Sequence, residues 1–154
     1  MGETTGYTAE QVKSGVRKFT EDVYNAGPAA SISTDLTLEQ DAAHVNLGGN
    51  WRMPTKDEYQ ELLDNCDGVW TDDYNGTGMG GMVFTSRVNG NSVFFPAAGN
   101  CAFYLNGGGG YYWSASWENE SNYTWFLYFD FYSGSQDLRY SVSHYGELVR
   151  GVCE

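Results

Sequence analysis

The sequence predicts an α+β fold, with helices first and an antiparallel sheet with long loops after them. Three observations lead there. Helical periodicity is confined to the residues before Gly68. The texture changes after Gly68 to short extended runs rich in Tyr, Trp, Phe, Ser, Asn and Gly. Asn89-Gly90 stands between two apolar runs, a strong short-range hairpin signal.

The first helix is expected from Thr8-Ala9-Glu10-Gln11, a capping-box pattern, with Val12, Val16, Phe19 and Val23 at helical spacing. Gly15 lies inside it and Gly27-Pro28 ends it. A second helix is expected from Leu38 to Asn46, with Thr37 as cap and Gly48-Gly49 as stop. The third has the clearest signature. Thr55 and Glu58 form a capping box, Tyr59, Leu62 and Leu63 make one apolar stripe, and Asn65 to Gly68 closes it.

Strands follow. Met82 to Val88 and Asn91 to Phe95 flank Asn89-Gly90, where an Asn-Gly turn asks both residues for positive φ, and Pro96 stops the second run. Gly107 to Gly110 reads as a loop, since four glycines offer nothing to pack, and Tyr112-Trp113 begins another extended stretch. Trp125 to Phe131 is apolar almost throughout, as in a strand covered on both faces. Leu138, Tyr140 and Val142 alternate with Arg139, Ser141 and Ser143, the pattern of a half-exposed strand. Leu148 to Cys153 reads as a closing strand.

At 154 residues the chain fits one domain, 1–154, with 1–35 as a less clearly patterned N-terminal part. Aromatics at 16% and charged residues at only 18% argue against disorder. The net charge of −12 repels phosphate backbones and anionic lipid, so neither nucleic acid nor a membrane surface is an expected partner. No apolar run is long enough to span a bilayer, so membrane insertion is not expected. Met1-Gly2-Glu3 does not open a signal peptide, and an exported form would need a leader or upstream domain outside this chain.

No catalytic set stands out, and no cofactor or metal is expected. Cys66, Cys101 and Cys153 form no Cys-x-x-Cys pair, and His44 and His144 are the only histidines, which argues against zinc. Three buried thiols are favoured over one disulfide with a free thiol. His44 reads as a structural hydrogen-bonding group. Asp72-Asp73 reads as a turn cap in preference to a calcium ligand. The glycine run lacks a following Lys-Ser/Thr, so it is no phosphate cradle. Ser114 and Ser116 lie in no nucleophile-elbow motif. Asn119 and Asn122 head glycosylation sequons.

The informative region is Trp113 to Tyr145. Thirteen of the chain's 25 aromatics fall between Tyr111 and Tyr145, interleaved with Ser, Asn, Gly and Asp, a vocabulary shared with antibody paratopes. Trp113, Phe126, Leu127 and Phe129 read as core. Trp117, Tyr123, Tyr132, Tyr140 and Tyr145 sit among polar neighbours, where binding and packing are balanced readings.

Trp51-Arg52-Met53-Pro54-Thr55 with Glu58 and Leu62-Leu63, the run Asn89 to Gly99, Tyr111 to Ser116, Leu127-Tyr128-Phe129 and Val149 to Val152 together resemble the Fibrobacter-type major paralogous domain. That family is a branch of the C-type lectin fold related to formylglycine-generating sulfatase modifiers. The resemblance covers roughly residues 36 to 153. It implies a phage virion or a secreted or bacterial cell-surface location. It also implies kinship with variable proteins of diversity-generating retroelements, which display altered side chains on one ligand-binding face. Carried over by position, Trp113, Leu127, Phe129 and Val149 match framework positions, within a variable ligand-binding region at 113–150. The altered face would lie between Trp117 and Tyr145, with Trp117 and Trp125 as candidate fixed residues.

The sugar-binding lectin motifs Glu-Pro-Asn and Trp-Asn-Asp are missing, Trp117-Glu118-Asn119 being only an echo, and the modifier enzymes' cysteine pair is not matched by Cys101 and Cys153. The expected function is therefore non-catalytic recognition of a protein or glycan on a cell surface. The nominated ligand-binding residues are Trp117, Asn119, Asn122, Tyr123, Asp130, Tyr132, Gln136, Asp137, Tyr140, His144 and Tyr145. A modifier-type oxidase using Cys101 or Cys153, and an invariant structural adhesin or virion module, are the alternatives.

Overall fold

The computed structural model describes residues 35–100, 108–118, 123–142 and 146–153. The helix expected around Val12 to Val23 lies outside them. Helix α1 is Ala42–Leu47, shorter and later than expected. Asp41, not Thr37, is its cap. The Asp41 carboxylate accepts the His44 amide at 2.9 Å and the Met53 amide, twelve residues away, at 2.7 Å. A carboxylate satisfying two amides outcompetes a hydroxyl. Thr37 instead starts a turn, its carbonyl accepting from the Gln40 and Asp41 amides.

Strand β1, Trp51–Arg52, leads into helix α2, Lys56–Asn65. The capping box forms as the sequence predicts. Thr55 Oγ1 accepts the Glu58 amide at 3.2 Å, and Glu58 Oε2 accepts the Thr55 amide at 2.8 Å. Helix α2 buries Tyr59 and half-buries Leu62 and Leu63.

Where the sequence suggested a helix-closing turn, the chain enters strand β2, Cys66–Thr71. It pairs antiparallel with β3, Gly81–Ser86, which pairs with β4, Ser92–Pro96. The β3–β4 hairpin contains Asn89-Gly90, but only Gly90 takes positive φ, at 74°. Ser86 and Asn91 close a four-residue loop, so this is not the tight two-residue turn. Between β2 and β3, Asp73 Oδ1 accepts the Gly78 amide at 2.6 Å and Asp72 Oδ1 accepts the Trp70 indole N–H at 2.8 Å. Both aspartates serve the turn.

Strands β5, Gly109–Glu118, β6, Tyr123–Asp130, and β7, Gln136–Val142, form a second antiparallel sheet with β6 in the centre. Gly109 and Gly110 belong to β5, not to a loop. A β-carbon on Gly110 would lie 2.1 Å from Phe129 Cζ, so glycine here admits the Phe129 ring. Strand β8, Val152–Cys153, pairs with β1. The closing strand is thus shorter than Leu148 to Cys153, although Leu148 bridges to Tyr112.

The α+β expectation, with its C-type-lectin arrangement, is corrected. The described residues hold two α-helices and eight strands in three small antiparallel sheets, so the architecture is mostly β. Strand β2 and the glycine start of β5 account for much of the difference. Both carry glycines that look like breakers in sequence and serve close packing in space.

Sheet β5–β6–β7 is covered on both faces, as the continuous apolar run of β6 predicts. One face places Tyr112, Leu127 and Phe129 against Tyr59, Phe84 and Phe95. Phe95 meets Phe84 and Tyr112 edge to face, with centroids 5.5 and 5.1 Å apart. The other face places Trp113, Phe126 and Tyr128 against Ala43 and Met53. Leu127 and Phe129 are fully buried, each worth about 2–3 kcal/mol of transfer free energy. Among the described residues no helix is long and apolar enough to cross a membrane.

Candidate functional site

The nominated residues separate by the period of two along each strand. Tyr123, Trp125, Leu127 and Phe129 share one face of β6, opposite Val142, Tyr140, Leu138 and Gln136 of β7. Toward the middle and the β6–β7 turn this face is core. Toward Tyr123 it reaches solvent. There Trp125 and Tyr140 stand directly opposite, edge to face at 5.1 Å, and Tyr123 meets Tyr140 edge to face at 6.0 Å. Tyr140 is 54% exposed and Tyr123 38%. The half-exposed pattern read from Leu138, Tyr140 and Val142 is thus corrected, because Tyr140 points outward past the end of the core.

Lys56, the first residue of α2, holds its ammonium 5.5 Å from the Trp125 ring centroid, within reach of a cation–π attraction. The position of Lys56 is fixed by an irregularity in β5. Register shifts between Trp113 and Trp117. Across it Ser114 Oγ donates to the Trp125 carbonyl at 2.8 Å, the Ala115 amide donates to the Pro54 carbonyl at 2.7 Å, and the Lys56 amide donates to Ser116 Oγ at 3.1 Å. The bulge thereby ties the start of α2 to the aromatic group on β6. Trp117, after the bulge, is half-buried and pairs with Thr124. The Trp125 indole N–H is buried and finds no hydrogen-bond partner among the described residues.

A second aromatic group lies at the other end of β6, roughly 23 Å away at about 3.3 Å per residue. Phe131 packs on Trp70 at 5.1 Å and on Tyr132 at 5.4 Å, and Tyr132 is 85% exposed. Asp130 is occupied within its turn, accepting the Ser133 amide at 2.8 Å and the Ser133 hydroxyl at 2.9 Å. Gln136 lies over Gly68 of β2, where a β-carbon would come 1.9 Å from its Oε1.

Asp137 is on the opposite face. It accepts from Arg139 Nε at 2.8 Å and Nη2 at 3.1 Å, while the Arg139 guanidinium stacks 3.7 Å from the Tyr128 ring centroid. Asn119, Asn122, His144 and Tyr145 lie outside the described residues, as does Cys101. The structure therefore gathers Tyr123 and Tyr140 in one group, sets Asp130, Tyr132 and Gln136 at the far end, and turns Asp137 away from both.

Lys56, Trp70, Trp125 and Phe131 complete these groups without having been nominated. Trp125 and Phe131 were hidden in an apolar run, and Lys56 and Trp70 reach the sheet through tertiary packing that no local spacing reveals. Of the framework positions, Trp113, Leu127 and Phe129 are buried, whereas Val149 is exposed. His44 makes a backbone contact, Nδ1 to the Trp51 carbonyl at 3.1 Å.

One carboxyl is strongly perturbed. Burial pushes Glu147 up to about 7, against a hydrogen bond from Asn100 that lowers it, and its Oε2 has no partner among the described residues. Burial likewise raises the Tyr112 phenol, whose hydroxyl donates to the Pro96 carbonyl at 2.6 Å. Among the described residues no three His, Cys, Asp or Glu side chains converge as a metal site would require. The chemistry the arrangement offers is contact: exposed rings, their hydroxyls and one ammonium on a fixed sheet. Compared with known proteins, the chain matches no family model, no curated protein and no solved structure.

Proposed function

We propose that this domain is a non-catalytic recognition module, binding a protein or glycan on a cell surface through side chains at the ends of β6 and β7. The observation that carries this reading is the group Tyr123–Trp125–Tyr140. Tyr123 and Tyr140 face solvent with the half-buried Trp125 ring packed against Tyr140, while the next residues on the same face of β6, Leu127 and Phe129, are locked in core. Such an arrangement lets rings contribute contact area with little ordering entropy lost on binding. Tyr132 and Phe131 add a second contact group at the far end of the sheet.

The resemblance to the Fibrobacter-type major paralogous domain supports the same reading and adds a virion or cell-surface setting. It also adds a diversified region between Trp117 and Tyr145. The adjoining DNA tests the last part: a near-duplicate of the 117–145 coding stretch beside a reverse transcriptase supports diversification, and its absence removes it. Binding itself is tested by panning the domain on intact bacterial surfaces or arrayed glycans. Tyr132→Ala should reduce retention while leaving the melting temperature nearly unchanged, and Tyr140→Ala should reduce retention by far more than the few degrees that the loss of its two ring contacts costs. Parallel loss of retention and melting temperature would mark these residues as packing and would end the proposal.

A further inference from the structure

Among the described residues the outer edge of β7 carries no partner strand. The Asp130 amide donates to the Ser135 carbonyl at 3.0 Å, so the pair that closes the β6–β7 hairpin is hydrogen-bonded. Alternation along an antiparallel ladder then turns the backbone groups of Asp137 and Arg139 toward β6, and those of Gln136, Leu138 and Tyr140 outward. Gln136, Arg139 and Tyr140 are exposed.

Open edges are usually blunted by charge. Here the two charges on the edge strand are opposite and stand two residues apart, on either side of Leu138. An antiparallel copy of the strand centred on Leu138 sets Asp137 across from Arg139 of the partner subunit, and Arg139 across from Asp137 of the partner subunit. Both are non-hydrogen-bonded positions, where side chains come closest, at about 4.5 Å between α-carbons. Centring on Asp137 or on Arg139 would set like charges face to face, so charge selects one register.

We propose that β7 pairs with β7 of a second copy about a two-fold axis at Leu138, joining two three-stranded sheets into one of six strands. The pairing sets Gln136 across from Tyr140 of the partner subunit, on the same face of the continuous sheet. That consequence bears on the binding surface. Within one chain the Tyr123–Trp125–Tyr140 group and the Gln136 end lie apart along the strands. In the dimer each aromatic group stands beside the partner subunit's Gln136, producing two equal composite patches.

Sedimentation equilibrium of the full chain over a concentration series tests the pairing. The wild-type mass should rise from 17.1 kDa toward twice that value. Asp137→Arg and Arg139→Asp, each placing like charges opposite, should weaken self-association at least about tenfold with unchanged far-ultraviolet circular dichroism. The double swap Asp137→Arg with Arg139→Asp should restore it. A wild-type chain that stays monomeric, as it would if the edge served a different protein strand, overturns the proposal. So does a dimer that both single variants leave intact, or single-variant losses that the double swap fails to repair.

Discussion

Gly110 lies against the ring of Phe129, with room for a hydrogen but not for a methyl group. A β-carbon there would sit 2.1 Å from Phe129 Cζ and 2.5 Å from Cε1. Phe129 is fully buried and cannot swing aside. Gly110→Ala should destabilise the domain by about 1–3 kcal/mol through overpacking. Gly68 makes the useful contrast. Its added β-carbon would meet the end of the Gln136 side chain, which is exposed and can rotate away. Gly68→Ala should cost under about 1 kcal/mol. Urea titration of the two variants checks the ordering, and equal losses would contradict the assigned packing.

Stability should depend on the end of the strand that is altered. Tyr132→Ala should fall within about 0.5 kcal/mol of wild type, and Tyr140→Ala should cost about 1 kcal/mol for its two ring contacts. Phe129→Ala should cost about 3–5 kcal/mol. Thermal melts would show this as a graded series along the sheet.

Trp125→Phe should be neutral or stabilising by up to about 1 kcal/mol. The substitution retains a ring near Lys56 and Tyr140 and removes an indole N–H that is buried with no partner among the described residues. A loss above about 2 kcal/mol would mean that the missing indole volume outweighs the unsatisfied donor.

Two carboxyls should bend the pH dependence of stability in opposite directions. Arg52 binds Glu58 bidentately at 2.7 and 2.8 Å, and this hydrogen bonding, with Thr55, holds Glu58 at about 2 despite partial burial. A lowered acid stabilises the fold above its unfolded value of 4.5, and that contribution is lost as pH falls from 4.5 toward 2. Because the pair is partly exposed, screening reduces it to about 1 kcal/mol.

Glu147 acts the other way. Its value of about 7 means that the folded state holds the proton while the unfolded chain releases it near 4.5. Stability is therefore full below 4.5 and falls as pH rises toward 7, by at most about 3 kcal/mol. Denaturation midpoints measured from pH 2 to 8 should peak near 4.5. Glu147→Gln should flatten the limb above the peak, and Glu58→Gln the limb below it.

Much of this molecule could be read from its residues where local chemistry decides. The Thr55–Glu58 capping box fixed the start of α2 because both partners are within one turn. The apolar run of β6 announced a strand with two covered faces. Other features depended on distant partners. Asp41 displaced Thr37 as a cap because it also serves Met53, twelve residues on. Gly109 and Gly110 looked like a loop because what needs their emptiness, the Phe129 carbonyl oxygen beside Gly109 and the Phe129 ring beside Gly110, is on another strand. The candidate site divided for a similar reason: composition clusters Tyr123, Asp130, Asp137 and Tyr140, but alternation and strand length distribute them over two ends and two faces.

Strand β6 is the common wall of two compartments, one furnished by Phe84 and Phe95, the other by Met53 and Ala43. Neither compartment can drain without stripping a flank from the same eight residues. Local fluctuations should begin at the hairpins and spread inward, and the amides from Phe126 to Phe129 should be the last to exchange with deuterium. Melting of the two halves is mechanically tied through one segment, so the loss of either should carry the other with it in a single step.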